Sequence, residues 1–141
     1  MKIAVSACLL GRNCKYNGGN NRSQAVLDFL KGHIVIPVCP GVTGGLPVPR
    51  VPVELKDGRA SNKNGEDVTA YFRRGVEQTM ARLSAEEIDL AILQPRSPSC
   101  GCREIYDGSF SGKKISGKGM FAQALADAGI PLQSAEEIEN I

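Results

Sequence analysis

Three of the five cysteines in this 141-residue chain lie just beyond apolar segments that have the composition of buried strands. The segments are residues 3–7, 34–38 and 90–93. They are followed by Cys8, by Cys39 and, after a short loop, by Cys100. Parallel strands point the same way, so the loops that follow them share the edge of the sheet where such folds bind ligands. We therefore expect three thiols that are distant in sequence to converge.

The thiols would suit either zinc or an iron-sulfur cluster, because both prefer soft ligands. Structural zinc commonly uses a Cys-x2-4-Cys pair, whereas the closest spacings here are Cys8-x5-Cys14 and Cys100-x-Cys102. A cubane cluster accepts ligands from widely separated loops, so the spacing favours a cluster. The alternative is that each cysteine packs as a small buried hydrophobe.

The pattern between the strands predicts the elements that would position these thiols. Helical periodicity occurs at residues 22–31, 67–83 and 118–128. Strands that alternate with helices predict an α/β fold, namely a three-layer Rossmann/flavodoxin-like parallel sheet. We expect one domain over residues 1–141.

Three further segments have local signatures. A small hairpin insertion is expected at residues 53–61, because an Asp-Gly dipeptide marks the turn. Residues 37–52 hold five of the eight prolines and are predicted to form a shaped loop. Ser134 lies three residues before Glu137, which is the spacing of a capping box for a short terminal helix.

Composition excludes several classes of protein. The formal charge is only +2, which argues against a nucleic-acid-binding protein. No apolar run approaches the length of a membrane span. The odd number of cysteines and their lack of a paired framework argue against disulfides. We expect a cytoplasmic protein, monomeric or homodimeric.

Three stretches resemble the signature blocks of the bacterial family catalogued as domain of unknown function 523, which includes the thiouracil desulfidases. They are SACLLGRNCKYNGG, VCPGVTGGLPVPRVPVE and SPSCGCREIYDGSF. The resemblance implies a 4Fe-4S cluster held by Cys8, Cys39 and Cys100, with a fourth iron that acts as a Lewis acid. It also implies a small thiolated substrate such as thiouracil, sulfide release without net redox change, and a cluster that aerobic preparations can lose.

The same resemblance implies groups that transfer protons, a Glu in a Cys-Pro-Glu block and a Ser in the Ser-Pro-Ser-Cys block. Ser97 matches the second and is the predicted catalytic residue, with Ser99 beside it as a substrate-binding residue. Gly41 stands where the first block has Glu, which predicts slow or absent turnover of thiouracil. Otherwise a second carboxylate such as Glu54 reaches the site, the substrate differs, or the protein binds a cluster without this activity.

The remaining candidates are charged residues near these blocks. Arg50 and Glu54 are predicted to be substrate-binding residues that shape the pocket, and an ion pair between them is one way in which they would do so. Lys118 lies at the start of the third predicted helix and is a candidate for binding a phosphate or a polar base edge. The alternative at that segment is a solvated loop capped by Ser116. A second hypothesis for the whole protein is a non-enzymatic module that binds a small anion or nucleotide, in which the cysteines only pack.

Overall fold

A parallel sheet of four strands forms the centre of the structure, a computed structural model that describes residues 1–140. The strands are β1 (Lys2–Ser6), β2 (Ile34–Val38), β3 (Val53–Lys56), β4 (Arg59–Asn62), β5 (Leu90–Leu93), β6 (Glu104–Tyr106), β7 (Lys114–Ser116) and β8 (Leu132–Ser134). The helices are α1 (Gln24–Phe29), α2 (Pro40–Thr43), α3 (Thr69–Ser84), α4 (Met120–Asp127) and α5 (Ala135–Glu139), with a 3-10 turn at Ala7–Leu10. The sheet has the order β2-β1-β5-β8, and β3-β4 and β6-β7 form separate antiparallel ribbons.

Helices cover both faces of the sheet. On one face, α3 and α4 contribute Leu83 and Phe121 to an apolar cluster with the strands. On the other face, α1 and α5 contribute Val26 and Ile138 to a second cluster. The three-layer α/β fold predicted from the sequence is therefore confirmed, and the ribbon β3-β4 is the predicted hairpin insertion.

The predicted elements occur with small shifts at their ends. The first strand covers Lys2–Ser6, because the 3-10 turn begins at Ala7. Helix α1 begins after Ser23, whose Oγ accepts the N–H of Val26 at 3.3 Å. Helix α4 begins after Gly119, so the expected cap at Ser116 is wrong; that residue lies in β7.

The proline-rich segment is only partly the loop that the sequence predicts. Pro37 lies within β2, which is an edge strand of the sheet and so tolerates a residue without an N–H donor. Directly after the strand, residues 40–43 form the single helical turn α2, with Pro40 at its start. Proline is well suited to the first position of a helix, because that N–H has no partner inside the helix.

Two glycines let α2 pack directly against α3. A Cβ atom on Gly44 would lie 2.0 Å from the carbonyl oxygen of Tyr71, and one on Gly75 would lie 1.9 Å from the carbonyl oxygen of Pro40. No side chain fits at either position, so the two backbones are in contact. This contact fixes the start of α2, where Cys39 is the N-terminal cap.

Gly75→Ala is expected to lower the free energy of unfolding by about 1 to 3 kcal/mol, the usual cost of overpacking. Helix propensity alone predicts the opposite sign, since Ala is favoured over Gly inside a helix by about 0.5 to 1 kcal/mol. The free energy of unfolding, measured in urea, distinguishes these two expected signs. Gly41→Ala in α2 is the control, because its Cβ would meet only the ends of Arg50 and Leu46 side chains, at 3.3 Å or more. A stabilised Gly75→Ala would contradict the packing.

Candidate functional site

One cavity of about 580 Å³ lies at the carboxyl ends of β1, β2 and β5. Cys8, Cys39 and Cys100 all line it, together with Cys14. The structure thus brings the three predicted ligands to one cavity, each from the end of a different strand. Cys102 does not line this cavity and is buried in the apolar cluster beneath α3 and α4.

The turn that carries Cys100 is organised by Ser97. The Ser97 hydroxyl oxygen accepts the backbone N–H groups of Ser99 at 3.1 Å and of Cys100 at 3.0 Å. Those two bonds occupy both acceptor positions of the oxygen, so the hydroxyl keeps only its hydrogen for donation. Ser99 is buried, and its carbonyl oxygen accepts the N–H of Phe121 at the start of α4.

Burial and hydrogen bonds act in opposite directions on two of the thiols. Burial raises the pKa of Cys100 to about 12, while hydrogen bonds with Ser6 and Ser97 lower it. Burial also raises the pKa of Cys8, which accepts a hydrogen bond from Asn21 Nδ2 at 3.5 Å. A negative charge on Cys39 raises both pKa values further.

The pKa of Cys39 is shifted the other way. A hydrogen bond with Cys14 lowers it below the ordinary value of 9.0, and the nearby guanidinium of Arg50 contributes to the same shift. Arg50 also fixes this part of the cavity, because its Nη2 donates to the carbonyl oxygen of Cys14 at 3.3 Å and its Nη1 to that of Pro47 at 3.2 Å.

The donor set fits a cluster better than a single metal ion. Within residues 1–140, no three Cys, His, Asp or Glu side chains are close enough together to bind one ion. In a cubane each thiolate binds a different iron, so its ligands stand farther apart than those of a mononuclear site. Three thiols that line one cavity from separate loops are soft donors of the kind that an iron-sulfur cluster accepts.

Arg50 and Glu54 both line the cavity, but the expected ion pair between them is wrong. Arg50 donates to the two carbonyl oxygens described above. The Oε1 atom of Glu54 accepts the backbone N–H groups of Gly108 at 3.0 Å and Phe110 at 3.1 Å. The carboxylate therefore holds the loop between β6 and β7.

The residues that line the cavity test two of the sequence-based expectations, those for Lys118 and for Gly41. Lys118 is exposed and does not line the cavity, so the structure does not bring it to the thiols. Gly41 does line the cavity, and the position that its Cβ would take is 3.3 Å from Arg50 Nη2. Among the described residues, Glu54 is the only carboxylate that lines this cavity.

Sequence reasoning missed several residues at the site. Ser6 and Asn21 contact the sulfur atoms of Cys100 and Cys8, and Tyr106 and Phe110 line the cavity from the β6-β7 ribbon. Ser6 is the last residue of a strand that ends beside the thiols, which was an available signal. Nothing in the sequence pattern distinguishes Asn21 from the other polar residues of its loop.

The fold and this cavity together define an α/β protein with four cysteines around a cavity at the carboxyl edge of a parallel sheet. The chain belongs to the 2-thiouracil desulfurase family, which it matches over residues 3–137. This match confirms the family resemblance of the three sequence blocks.

Two individual proteins are similar over nearly the whole chain. "Uncharacterized protein YbbK" of Bacillus subtilis (strain 168) is 36% identical over 149 aligned positions, which cover 99% of each chain. The solved structure of the 4Fe-4S-dependent thiouracil desulfidase TudS (DUF523Vcz) is 39% identical with a TM-score of 0.91, and the match covers 99% of this chain and 93% of that one. In the part of the chain that the structure describes, no helix is long and apolar enough to cross a membrane.

Proposed function

We propose that this protein binds a 4Fe-4S cluster through Cys8, Cys39 and Cys100 and removes sulfur from a small thiolated compound, releasing sulfide. The observation that carries the proposal is the position of these thiols, which line one cavity from the ends of three strands. Membership of the 2-thiouracil desulfurase family and similarity to a 4Fe-4S-dependent thiouracil desulfidase support it. Reduced thiols and a cluster that oxygen damages suit the cytoplasm.

When bound, a cluster with three cysteine ligands supplies one iron that is free to polarise a thiocarbonyl group. The residues of the chain prepare the site for that chemistry. Asn21 donates to the sulfur of Cys8, and Ser97 holds the turn of Cys100 by accepting two backbone N–H groups, which leaves its hydroxyl hydrogen for donation. We assign proton donation at the site to Ser97, and contact with the substrate to Ser99 and Arg50.

Anaerobic purification tests this function directly. We expect a brown protein with about four irons and four sulfides per chain, as a cubane requires. Incubation with 2-thiouracil is expected to yield uracil and free sulfide in equal amounts but slowly, because Gly41 supplies no proton-transferring group. Chromatography and a colorimetric sulfide assay measure the two products. A colourless protein without iron under these conditions would falsify the proposal.

A second candidate function is the binding of a small anion without catalysis. Arg50 favours it, because this guanidinium lines the cavity and has no carboxylate within salt-bridge distance among residues 1–140. The iron content separates the two functions. Under the second one, anaerobic protein would carry no iron and would still bind phosphate or a nucleotide.

A further inference from the structure

The tip of the β6-β7 ribbon, residues 107–113, contains more internal hydrogen bonds than its composition suggests. Its residues are mostly Asp, Ser, Gly and Lys, which usually form solvated turns. Here Ser109 N–H donates to Asp107 Oδ1 at 2.9 Å, and the Asp107 N–H closes the ribbon onto the Lys113 carbonyl oxygen at 3.0 Å. One aromatic residue, Phe110, interrupts this polar tip, and it lines the cavity that the thiols share.

Glu54 fastens the tip to the ribbon β3-β4. One carboxylate oxygen accepts two backbone N–H groups, from Gly108 and Phe110. Hydrogen bonds to a charged acceptor are roughly twice as strong as neutral ones. Gly108 lies so close to β3 that a Cβ would be 2.7 Å from Lys56 Cβ and 2.9 Å from the Leu55 carbonyl oxygen. The two residues that flank Ser109 are therefore both held to β3. Gly108 packs closely against it, and Gly108 and Phe110 each donate a hydrogen bond to Glu54.

Phe110 occupies a backbone conformation that a bulky residue rarely adopts. Its φ is +56°, in the left-handed region where glycine and asparagine are usual. Such a conformation persists only where surrounding contacts impose it, and these positions are concentrated at functional sites. The contact that imposes this conformation is the hydrogen bond from the Phe110 N–H to Glu54. The result is that Phe110 lies on the cavity wall.

We propose that Phe110 is a specificity-determining residue that stacks against the planar ring of a heteroaromatic thiocarbonyl substrate, and that Glu54 is the positioning residue that holds it there. The inference rests on the proposed function and adds the residues that select a flat ring over an acyclic thiocarbonyl compound. Aromatic rings favour offset stacking with one another, and a nucleobase-like ring presents a π face for that contact.

Binding measurements on the anaerobically purified holoprotein test the role of Phe110. The two probes are 2-thiouracil, which is planar and cyclic, and thiourea, which carries the same C=S group without a ring. Phe110→Leu is expected to weaken binding of 2-thiouracil roughly 5- to 10-fold, the worth of one stacking contact, and to leave thiourea binding unchanged. Phe110→Tyr keeps the ring and is expected to bind both probes as the wild type does.

Phe29→Leu is the matched control, because this ring packs beside His33 and does not line the cavity. Equal losses for both probes in Phe110→Leu, or no loss for 2-thiouracil, would overturn the inference, as would a wild-type holoprotein that binds 2-thiouracil no better than thiourea. Selective binding of 2-thiouracil without sulfide release would instead contradict the desulfidase function and leave the stacking role intact.

Two substitutions test the role of Glu54. Glu54→Ala removes the acceptor and is expected to reproduce the selective loss of 2-thiouracil binding, while Glu54→Gln keeps an acceptor oxygen and is expected to restore most of it. Adding Glu54→Ala to Phe110→Leu should cause no further loss, because both changes remove the same contact. If Glu54→Gln instead kept binding but lowered sulfide release 100-fold or more, Glu54 would be transferring a proton, and the positioning role would be wrong.

Discussion

Replacing Cys8, Cys39 or Cys100 by Ser is expected to remove the brown colour of the anaerobic protein and most of its iron. Each thiol lines the cavity from a different loop, and Cys14 is the one other described cysteine that lines it. A serine hydroxyl stays protonated at neutral pH and offers a hard oxygen, which suits an iron-sulfur cluster poorly. Iron analysis and the visible absorption spectrum give the result.

Cys102→Ser is the matched control for these variants. It makes the same change in a cysteine that is buried away from the cavity, so we expect a less stable protein that keeps its iron. Retention of a full iron complement in any one of the three ligand variants would contradict the assignment of that residue.

Gly41→Glu is expected to raise the rate of sulfide release from 2-thiouracil by between about 10²- and 10⁴-fold, the usual contribution of a general acid or base. A Cβ at position 41 would meet only side-chain atoms, Arg50 Nη2 at 3.3 Å and Leu46 Cδ1 at 3.8 Å, so a small shift of Arg50 accommodates it. The Arg50 guanidinium is also placed to pair with the new carboxylate and hold it in the cavity.

Gly41→Gln is the control for that variant, since it has nearly the same shape and cannot exchange a proton at neutral pH. We expect it to turn over no faster than the wild type. A rate increase in Gly41→Gln equal to that in Gly41→Glu would show that filling the space, rather than proton transfer, causes the gain. No increase in either variant would mean that position 41 is not where this protein lacks a proton-transferring group.

The sequence alone was sufficient to predict the helices and strands that have long or strongly apolar patterns. Strands β1, β2 and β5 are continuous apolar runs, and α3 has the periodicity of a helix with one buried stripe, so their positions followed from local pattern. The convergence of the three loops then followed from the geometry of a parallel sheet. These elements are also the ones that position the thiols.

The missed elements are short or depend on distant contacts. β6, β7 and β8 have three residues each, too few for any periodicity to show, and β7 is exposed throughout. Helix α2 is one turn long and exists because two glycines allow it to touch α3. The role of Glu54 could not be predicted, because its partners lie more than fifty positions away along the chain.

Because the three thiols come from separate loops, a group that binds all of them would raise the amount of protein that persists in the cell. A group that binds all three joins the ends of β1, β2 and β5, and a ligand bound only by the folded chain stabilises it by about 2.7 kcal/mol at 100 times its dissociation constant. Without that group this edge of the sheet opens more often, and proteases cleave opened chains. Under the proposed function, iron shortage would then deplete the polypeptide itself as well as its activity.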